Sequence, residues 1–367
     1  MILRLETTTG DALAIAGDRI ADPESRADLT IDVGPGQFQP GLINAHDHLH
    51  RNHYPRLGSP PYQDAYLWGT DIHARNAPEL ARAKSLDPRA ALLFGALKNI
   101  VGGATTVVHH DAWQPAFEQQ FPVRVARVRT MHSLGFERDW AAARTAQQTW
   151  PDMPLCIHLA EGINQRAADE VADLDWHHLL DRRLLAVHCV GVDKAGIAQL
   201  QAARAAVVWC PTSNVFLFGR TAPAALLECG IDVLLGTDAL LTGEGTLLDE
   251  LQAARALNVV DHQVLLDAVG RKAAHRLGLP APSLEPGALA DVILLRRPLL
   301  EARAADVALV LVGGQALLVD ATIDGLLAAS AGEMICVGGV NKIVPAALAR
   351  AAQHALDLSP ECARMFQ

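Results

Sequence analysis

The chain has 367 residues, half of them hydrophobic and a fifth charged, so it exceeds the size of one small domain and can bury a large core. Its formal net charge of −10 excludes a surface that attracts nucleic-acid phosphates, because such a surface is positively charged. No apolar stretch reaches the roughly 20 residues that span a bilayer, so we expect neither a nucleic-acid partner nor a membrane partner.

The cysteines and the N-terminal segment indicate the compartment. The six cysteines contain no CxxC pair and no regular framework, and three of them lie in apolar runs that are typical of strands. The N-terminal segment lacks a charged region followed by a long apolar core, so it does not resemble a signal peptide. Both observations predict a cytoplasmic protein.

The predicted elements change in character along the chain. Residues 1–39 contain short apolar runs between Gly and Asp turns, which predicts strands, but this segment is too small to bury a core alone. Residues 40–283 alternate short apolar runs with helical segments rich in Ala, Arg and Glu. This α/β alternation predicts a parallel sheet covered on both faces, and its length favours a TIM-like (β/α)8 barrel.

The barrel pattern has one irregularity. Only 52 positions separate Thr106 from His158, where two complete strand–helix units should fit. We find one unit, Val123–His132 followed by a helix near 138–149. The third strand and its helix are therefore expected to be shortened or missing, which distorts the barrel between strands 2 and 5.

The end of the chain predicts a second domain. Residues 284–324 contain two further strand-like runs, which we expect to pair with residues 1–39 in a small β-sandwich domain built from both chain ends. Residues 325–367 contain an Ala-rich segment at Pro345–Leu356, which predicts a helical tail.

The segment GLINAHDHLH, at Gly41–His50, is the first candidate for chemistry. His46 and His48 are two residues apart after an apolar run, so in a strand their imidazoles leave the same face and Asp47 leaves the other. Imidazole is the commonest neutral nitrogen ligand of metals. The pair therefore indicates a metal site, although a polar strand end is an alternative.

Further polar residues follow the later strands. His158 lies in CIHLAE, His188 ends LLAVH, and Asp238 follows IDVLLGT. The carboxyl ends of the strands carry the active site of a parallel α/β barrel. One such residue alone is typical of a turn cap, but the same placement repeated at one end of the barrel predicts a metal centre.

Three His and one Asp can bind Zn²⁺ and leave a position for water, whose pKa the metal lowers to about 7 so that it supplies hydroxide. Glu161 follows His158 and would lie nearer the barrel mouth, where it could shuttle protons; the alternative is a surface Glu that opens the next helix. His188 and Asp238 could polarise the nucleophile or the reacting bond.

These motifs resemble, in order and over nearly the whole chain, those of the amidohydrolase superfamily, in its metal-dependent deaminase and chlorohydrolase branch. That branch includes cytosine, guanine and S-adenosylhomocysteine deaminases. The segments that carry the resemblance are PGLINAHDHLH, GGATTVVHHD, IHLAEG, AVHCV, WCPTSN, LLGTD and PGALADVILL.

The resemblance implies roles for individual residues. One divalent metal, Zn²⁺ or else Fe²⁺ or Mn²⁺, is implied to bind His46, His48, His158 and Asp238. Glu161, His188 and Asp238 are the implied catalytic residues. The chain has five lysines and none between Lys98 and Lys194, so the carboxylated Lys that bridges two metals in binuclear relatives has no counterpart and we expect a single metal.

Substrate contacts are expected from three places. The loop 51–77 holds Trp68 and all three tyrosines, and it could stack on a flat ring, close as a lid, or pack on itself. His109 ends the second strand, and His132 lies in RTMHS, which resembles a fourth-strand segment of the family. We therefore expect Trp68, His109 and His132 to contact the substrate.

The function that the resemblance favours is hydrolytic deamination of an amino-substituted N-heterocycle, with hydroxide attack, proton transfer by Glu161 and release of ammonia. Hydrolysis of an amide, a cyclic imide or a carbon–chlorine bond would use the same metal site. A metal-binding protein without turnover is a third alternative, which Glu161 and His188 disfavour because a structural site needs no proton shuttle. The expected partner is a small-molecule substrate, and the family implies a homodimer.

Overall fold

A computed structural model describes residues 1–137, 139–327 and 332–366 of the chain. The first five strands belong to two outer sheets. They are β1 (Ile2–Thr7), β2 (Ala12–Ala16), β3 (Arg19–Ile20), β4 (Leu29–Gly34) and β5 (Gln37–Pro40). The first four form one sheet in the order β3-β2-β1-β4, whereas β5 joins a second sheet.

The next eight strands pair in parallel and form a three-stranded sheet, β6-β7-β8, and a five-stranded sheet, β9 to β13 in chain order. They are β6 (Leu42–Asp47), β7 (Ala104–His109), β8 (Arg124–Val125), β9 (Arg129–Ser133), β10 (Leu155–Leu159), β11 (Leu184–His188), β12 (Ala206–Trp209) and β13 (Asp232–Leu235). Every residue of β6, β7, β10 and β11 is buried, because parallel strands are covered on both faces.

The two parallel sheets meet where the last strand ends. The backbone N–H groups of Thr237 and Asp238 donate to the carbonyl oxygen of His46, at 2.9 and 3.1 Å. The residues that follow β13 therefore lie beside the histidines of β6, at the same end of the parallel strands.

The third strand–helix unit is shortened, as the spacing of Thr106 and His158 led us to expect. Strand β8 has two residues, and three residues separate it from β9. Between β7 and β8, the structure has a short 3-10 helix at Pro115–Glu118.

Eleven α-helices accompany the parallel strands in the described part of the chain. Several begin at an Asp or Asn whose side chain accepts a backbone N–H of the first turn, as Asn164 does from Ala167. They are α1 (Ala65–Arg75), α2 (Ala77–Ala83), α3 (Pro88–Val101), α4 (Trp140–Thr149), α5 (Gln165–Trp176), α6 (Lys194–Ala202), α7 (Pro211–Phe218), α8 (Ala224–Leu227), α9 (Leu247–Leu257), α10 (His262–Ala268) and α11 (Arg271–Leu277).

One of these helices lies where a loop was expected, and another lies where a helix was expected. The segment 51–77, interpreted as a loop, contains α1, which Asp64 caps by accepting the N–H of Leu67. The helix expected near 138–149 is α4, and its expected first residue, Arg138, lies outside the described residues.

The C-terminal strands form the second outer sheet, in the order β17-β18-β16-β15-β14-β5. They are β14 (Val292–Leu295), β15 (Val307–Val312), β16 (Gln315–Asp320), β17 (Gly332–Val337) and β18 (Val340–Pro345), followed by α12 (Ala346–Leu358) and a 3-10 helix at Pro360–Phe366. Because β5 pairs with β14, the two chain ends share a sheet. Side chains from both ends, such as Leu5, Val33, Val292 and Leu309, share one buried apolar cluster.

The expectation of a helical tail at 325–367 is wrong for the first half of that segment. Strands β17 and β18 form a hairpin whose turn, Gly338–Gly339, has positive φ at both residues, a conformation that glycine adopts without strain. The helix α12 follows, and its buried Leu348, Ala352 and Ala355 share the main apolar core with α3. Residues 328–331 and 367 of the tail lie outside the described residues.

Within the described ranges, the structure contains no helix that is both long enough and apolar enough to cross a membrane.

Candidate active site

The site is built around the two histidines of the first parallel strand. His46 is fully buried and His48 is 4% exposed, and their ring centroids lie 5.0 Å apart. Asp47 points away from them and forms an ion pair with Lys98 at 3.2 Å. His46 and His48 therefore leave one face of the strand and Asp47 leaves the other, as their spacing predicted.

Residues from three other strand ends join this pair. His158 Nε2 lies 3.4 Å from His48 Nε2, and Asp238 Oδ1 lies 3.6 Å from the Nε2 atoms of both His46 and His48. His188 belongs to the same cluster, because its ring nitrogen and those of His46 and His158 all lie within 4.8 Å of one another. The structure thus brings together all four residues that the sequence proposed as ligands.

The hydrogen bonds of these rings test whether the cluster suits a cation. His48 Nδ1 donates to Asp111 Oδ2 at 2.6 Å, and His158 Nδ1 donates to the carbonyl oxygen of His132 at 2.6 Å. Their Nε2 atoms therefore face each other as unprotonated lone pairs. His46 Nε2 and His188 Nε2 are buried with no hydrogen-bond partner among the described residues. A divalent cation fits this set, because it satisfies lone pairs that otherwise repel each other.

Burial keeps the imidazoles neutral. Loss of hydration lowers the pKa of His48 and the pKa of His188 to about 4, and the pKa of His158 falls well below its ordinary value for the same reason. At neutral pH these rings carry no charge, which is the form that binds a metal.

Asp238 and His188 are each held by a residue of α7. Asp238 Oδ2 accepts from the hydroxyls of Ser213 at 2.8 Å and Thr242 at 2.7 Å. His188 Nδ1 donates to Asn214 Oδ1 at 2.8 Å. Ser213 and Asn214 lie in WCPTSN, one of the segments that carry the family resemblance. No role was predicted for either residue, although both are polar side chains beside a strand end.

The first turn of α7 is itself held by a carboxyl group of α9. The N–H of Thr212 donates to Glu250 Oε2 at 3.1 Å, and the Thr212 hydroxyl bonds to Glu250 Oε1. Glu250 is fully buried, and burial raises its pKa to about 8. The position of Ser213 and Asn214 therefore depends on α9 as well as on α7.

Glu161 lies beyond the end of β10 and faces the cluster. Its Oε1 lies 3.6 Å from His188 Nε2. The preceding Ala160 has φ of +52° and donates its N–H to Glu170 Oε2 at 2.7 Å, which fixes the turn into Glu161. Burial raises the pKa of Glu161 well above its ordinary value, and the nearby Asp238 and Glu170 add to the rise, so this carboxyl group binds a proton more readily than an exposed one.

A cavity of about 510 Å³ opens above these groups. His48, His158, Glu161 and Asp238 line its floor. Its walls include Trp68 and His132, which were expected to contact the substrate, and further aromatic residues, Tyr54, Tyr66 and Phe136. The aromatic side chains give the cavity flat apolar surfaces beside the polar floor.

His109 is not among the residues that line this cavity, contrary to the expectation. It pairs with Asp47 in the sheet and so points to the same side as Asp47, away from His46 and His48. Its Nδ1 accepts the backbone N–H of Leu49 at 3.3 Å, which leaves the proton on Nε2.

The neighbouring His110 takes the inward position instead, because strand residues alternate. Its ring stacks on His158 with centroids 4.1 Å apart, and its Nε2 donates to the carbonyl oxygen of Met131 at 2.8 Å.

The sequence matches the profile of a known family and is similar to proteins named as deaminases. The profile of the amidohydrolase family matches residues 135–317. A 5-methylthioadenosine/S-adenosylhomocysteine deaminase from Pelotomaculum thermopropionicum is 32% identical over 357 residues, which cover 78% of this chain and 80% of the relative. A 5'-deoxyadenosine deaminase from Methanothrix thermoacetophila is 27% identical over 348 residues, which cover 78% of this chain and 82% of the relative.

The fold is similar to that of solved hydrolases. An adenosine deaminase from Xanthomonas campestris, solved with bound zinc, aligns over 97% of this chain and 98% of its own with a TM-score of 0.70. The two sequences are 20% identical, so this likeness concerns the fold.

Proposed function

The chain belongs to the amidohydrolase family and is a metal-dependent hydrolase of its deaminase type, and we propose that it removes the exocyclic amino group of an adenosine-like 6-aminopurine. Both relatives named above are deaminases of such compounds. The aromatic walls of the cavity support a flat heterocycle as the substrate, and about 510 Å³ suits a small molecule.

We propose that His46, His48, His158 and Asp238 hold one divalent cation, with zinc as the metal. The unpaired nitrogens of the cluster support this donor set, and nitrogen and carboxylate donors suit Zn²⁺. The cation supplies a water of lowered pKa, which is a nucleophile at neutral pH.

The protein groups move the protons of the reaction. Glu161 takes a proton from the attacking water as its oxygen bonds to the ring carbon, and returns that proton to the adjacent ring nitrogen. Transfer of the second water proton to the amino group breaks the carbon–nitrogen bond, so that ammonia leaves and a carbonyl group remains. His188 Nε2 lies 3.6 Å from Glu161 Oε1, where its lone pair can accept a hydrogen bond from the attacking water and so orient it.

The placement of Glu161 beside the unpaired nitrogens is the observation that carries this proposal. Glu161→Gln keeps the shape and removes the proton-carrying group, so we expect unchanged zinc content and ammonia release slower by about 10²–10⁴-fold. Ammonia release from adenosine and 5'-deoxyadenosine, measured beside zinc content, provides the test. The exposed Glu228→Gln is the control, and a wild-type rate in Glu161→Gln would contradict the role.

Several finer features also belong to the proposal. We propose that the eight parallel strands, within residues 40–283, close into a barrel, which the bond between Thr237 and His46 supports. The shared apolar cluster supports one β-sandwich domain made from the outer sheets. The six free cysteines suit the expected cytoplasm, and the homodimer stays a prediction.

A further inference from the structure

A lysine without a role in the proposed chemistry lies directly behind the site. Lys98 of α3 is fully buried, although a buried charge is costly unless it is paired. Its Nζ donates to Asn52 Oδ1 at 2.8 Å, Thr237 Oγ1 at 2.9 Å and the backbone oxygen of Asp238 at 2.7 Å. It therefore holds the backbone of a residue whose carboxylate faces the histidine cluster.

The backbone of Asp238 needs such a partner. Its φ is +54°, in the left-handed region, which is strained for residues other than glycine. A conformation of this kind persists only when its surroundings fix it. Lys98 helps to fix it by donating to the carbonyl oxygen of Asp238.

The partner of Lys98 is Asp47, which lies between His46 and His48. Its carboxylate accepts from Asn52 at 2.8 Å and from Asn99, also in α3, at 2.7 Å, and it pairs with Lys98 at 3.2 Å. Asp47 is thus part of β6, the strand that carries His46. Its partner Lys98 bonds to Thr237 and Asp238, which follow β13.

We propose that the Asp47–Lys98 pair is a positioning device that sets the distance between the two histidines of β6 and the carboxylate of Asp238. The inference rests on the metal site proposed above. A buried ion pair often contributes little net stability compared with apolar residues of similar size, so we assign this pair to the geometry that it imposes.

The test separates geometry from stability. Lys98→Met and Asp47→Asn each leave one buried charge unpaired, so each single variant unfolds more easily. The double variant Asp47→Asn/Lys98→Met removes both charges and recovers much of the thermal stability of the metal-free protein. Its affinity for Zn²⁺, measured by competition with a chromophoric chelator, stays at least tenfold weaker than that of the wild type.

The chain offers a matched control. Lys342 is likewise fully buried and pairs with Asp320 in the second outer sheet, where its Nζ also donates to the carbonyl oxygens of Ala305 and Val307. Asp320→Asn/Lys342→Met should bind Zn²⁺ as the wild type does.

Three results would contradict the inference or the proposed function on which it rests. Wild-type affinity for Zn²⁺ in the Asp47/Lys98 double variant would show that the pair only stabilises the fold. An equal loss of affinity in the Asp320/Lys342 control would show that affinity follows stability, and would overturn the inference. Failure of the wild-type protein itself to bind any divalent metal would instead overturn the proposed function, and the inference with it.

Discussion

At the scale of single residues, several of the proposed ligands and catalytic groups are oriented by a neighbour. Asp111 holds His48, Ser213 and Thr242 hold Asp238, and Asn214 holds His188. Such partners fix the tautomer and the direction of a ring or carboxylate, so their loss affects chemistry more than folding. Substitution of these neighbours should therefore affect the activity of the site as substitution of the ligands does.

Asn214→Ala removes the acceptor of His188 Nδ1, so the imidazole is free to rotate away from Glu161. We expect zinc content to stay the same while kcat for ammonia release falls by about 10–100-fold. Steady-state kinetics with metal analysis checks this, and Asn341→Ala, at an exposed position of β18, is the control. Loss of zinc in Asn214→Ala would mean that His188 acts as a ligand and not only as an orienting group.

At the scale of elements, α3 links the site to the C-terminal part of the chain. One face of α3 carries Lys98 and Asn99 toward the histidine strand, and its apolar residues share the core with α12. The site therefore depends on a helix that contributes no group to the chemistry.

Leu348→Ala tests the packing of α12. Leu348 is 1% exposed, so truncation of its side chain should lower the free energy of unfolding by about 2–5 kcal/mol through lost apolar burial and a cavity. Urea unfolding followed by circular dichroism measures the change. His354→Ala, on the exposed face of the same helix, should change stability by less than about 0.5 kcal/mol; a similar loss in both variants would contradict this packing.

Elements with a strong local sequence pattern could be predicted, whereas elements with only a weak pattern were missed. The strands that carry His46, His158 and His188 were predicted, because their apolar runs lead into polar residues. The shortened third unit could be predicted from spacing alone. The β17–β18 hairpin was missed, although Gly338–Gly339 between two strand-like runs is a turn signal, because the Ala-rich helix after it dominated the interpretation.

At the scale of the whole molecule, buried histidines dominate the expected response to acid. Burial lowers the pKa of six of them, His48, His53, His109, His110, His158 and His188. A lowered pKa in the folded state means that the unfolded chain binds more protons between pH 6.5 and about 4. The stability from these rings is present above pH 6.5 and is lost as the pH falls through that window. Glu161, whose pKa is raised, contributes in the opposite direction, since its share is lost as the pH rises above about 4.5.

We therefore expect the Tm of the metal-free protein to fall steeply from pH 6.5 to pH 4. Each unit by which folding lowers the pKa of a histidine costs about 1.4 kcal/mol of unfolding free energy once the pH is below the folded-state value. Protein saturated with Zn²⁺ should stay folded to a lower pH, because bound metal competes with protons for the same nitrogens. Differential scanning calorimetry at several pH values, with and without zinc, is the measurement. A flat profile for the metal-free protein would contradict the burial of these rings as neutral groups.

The family and the deaminase type of the enzyme were predicted from the sequence, and the comparisons confirm both. The convergence of His46, His48, His158 and Asp238 could also be predicted, because the carboxyl ends of parallel strands share one edge. The side to which His109 points could not, since it depends on the register of β7 against β6. The Asp47–Lys98 pair was missed because nothing local in α3 marks a lysine that the fold buries.

The pairing of β5 with β14 has a kinetic consequence. Pro40 lies opposite Val292, so this ladder joins residues about 250 positions apart, and the strand that bears His46 starts immediately after it. Closing so long a loop is slow, because the entropy is lost before the contacts form. We therefore expect the histidines of the site to come together late in folding. In a refolding experiment, the protein should recover its secondary structure well before it recovers the ability to bind a metal.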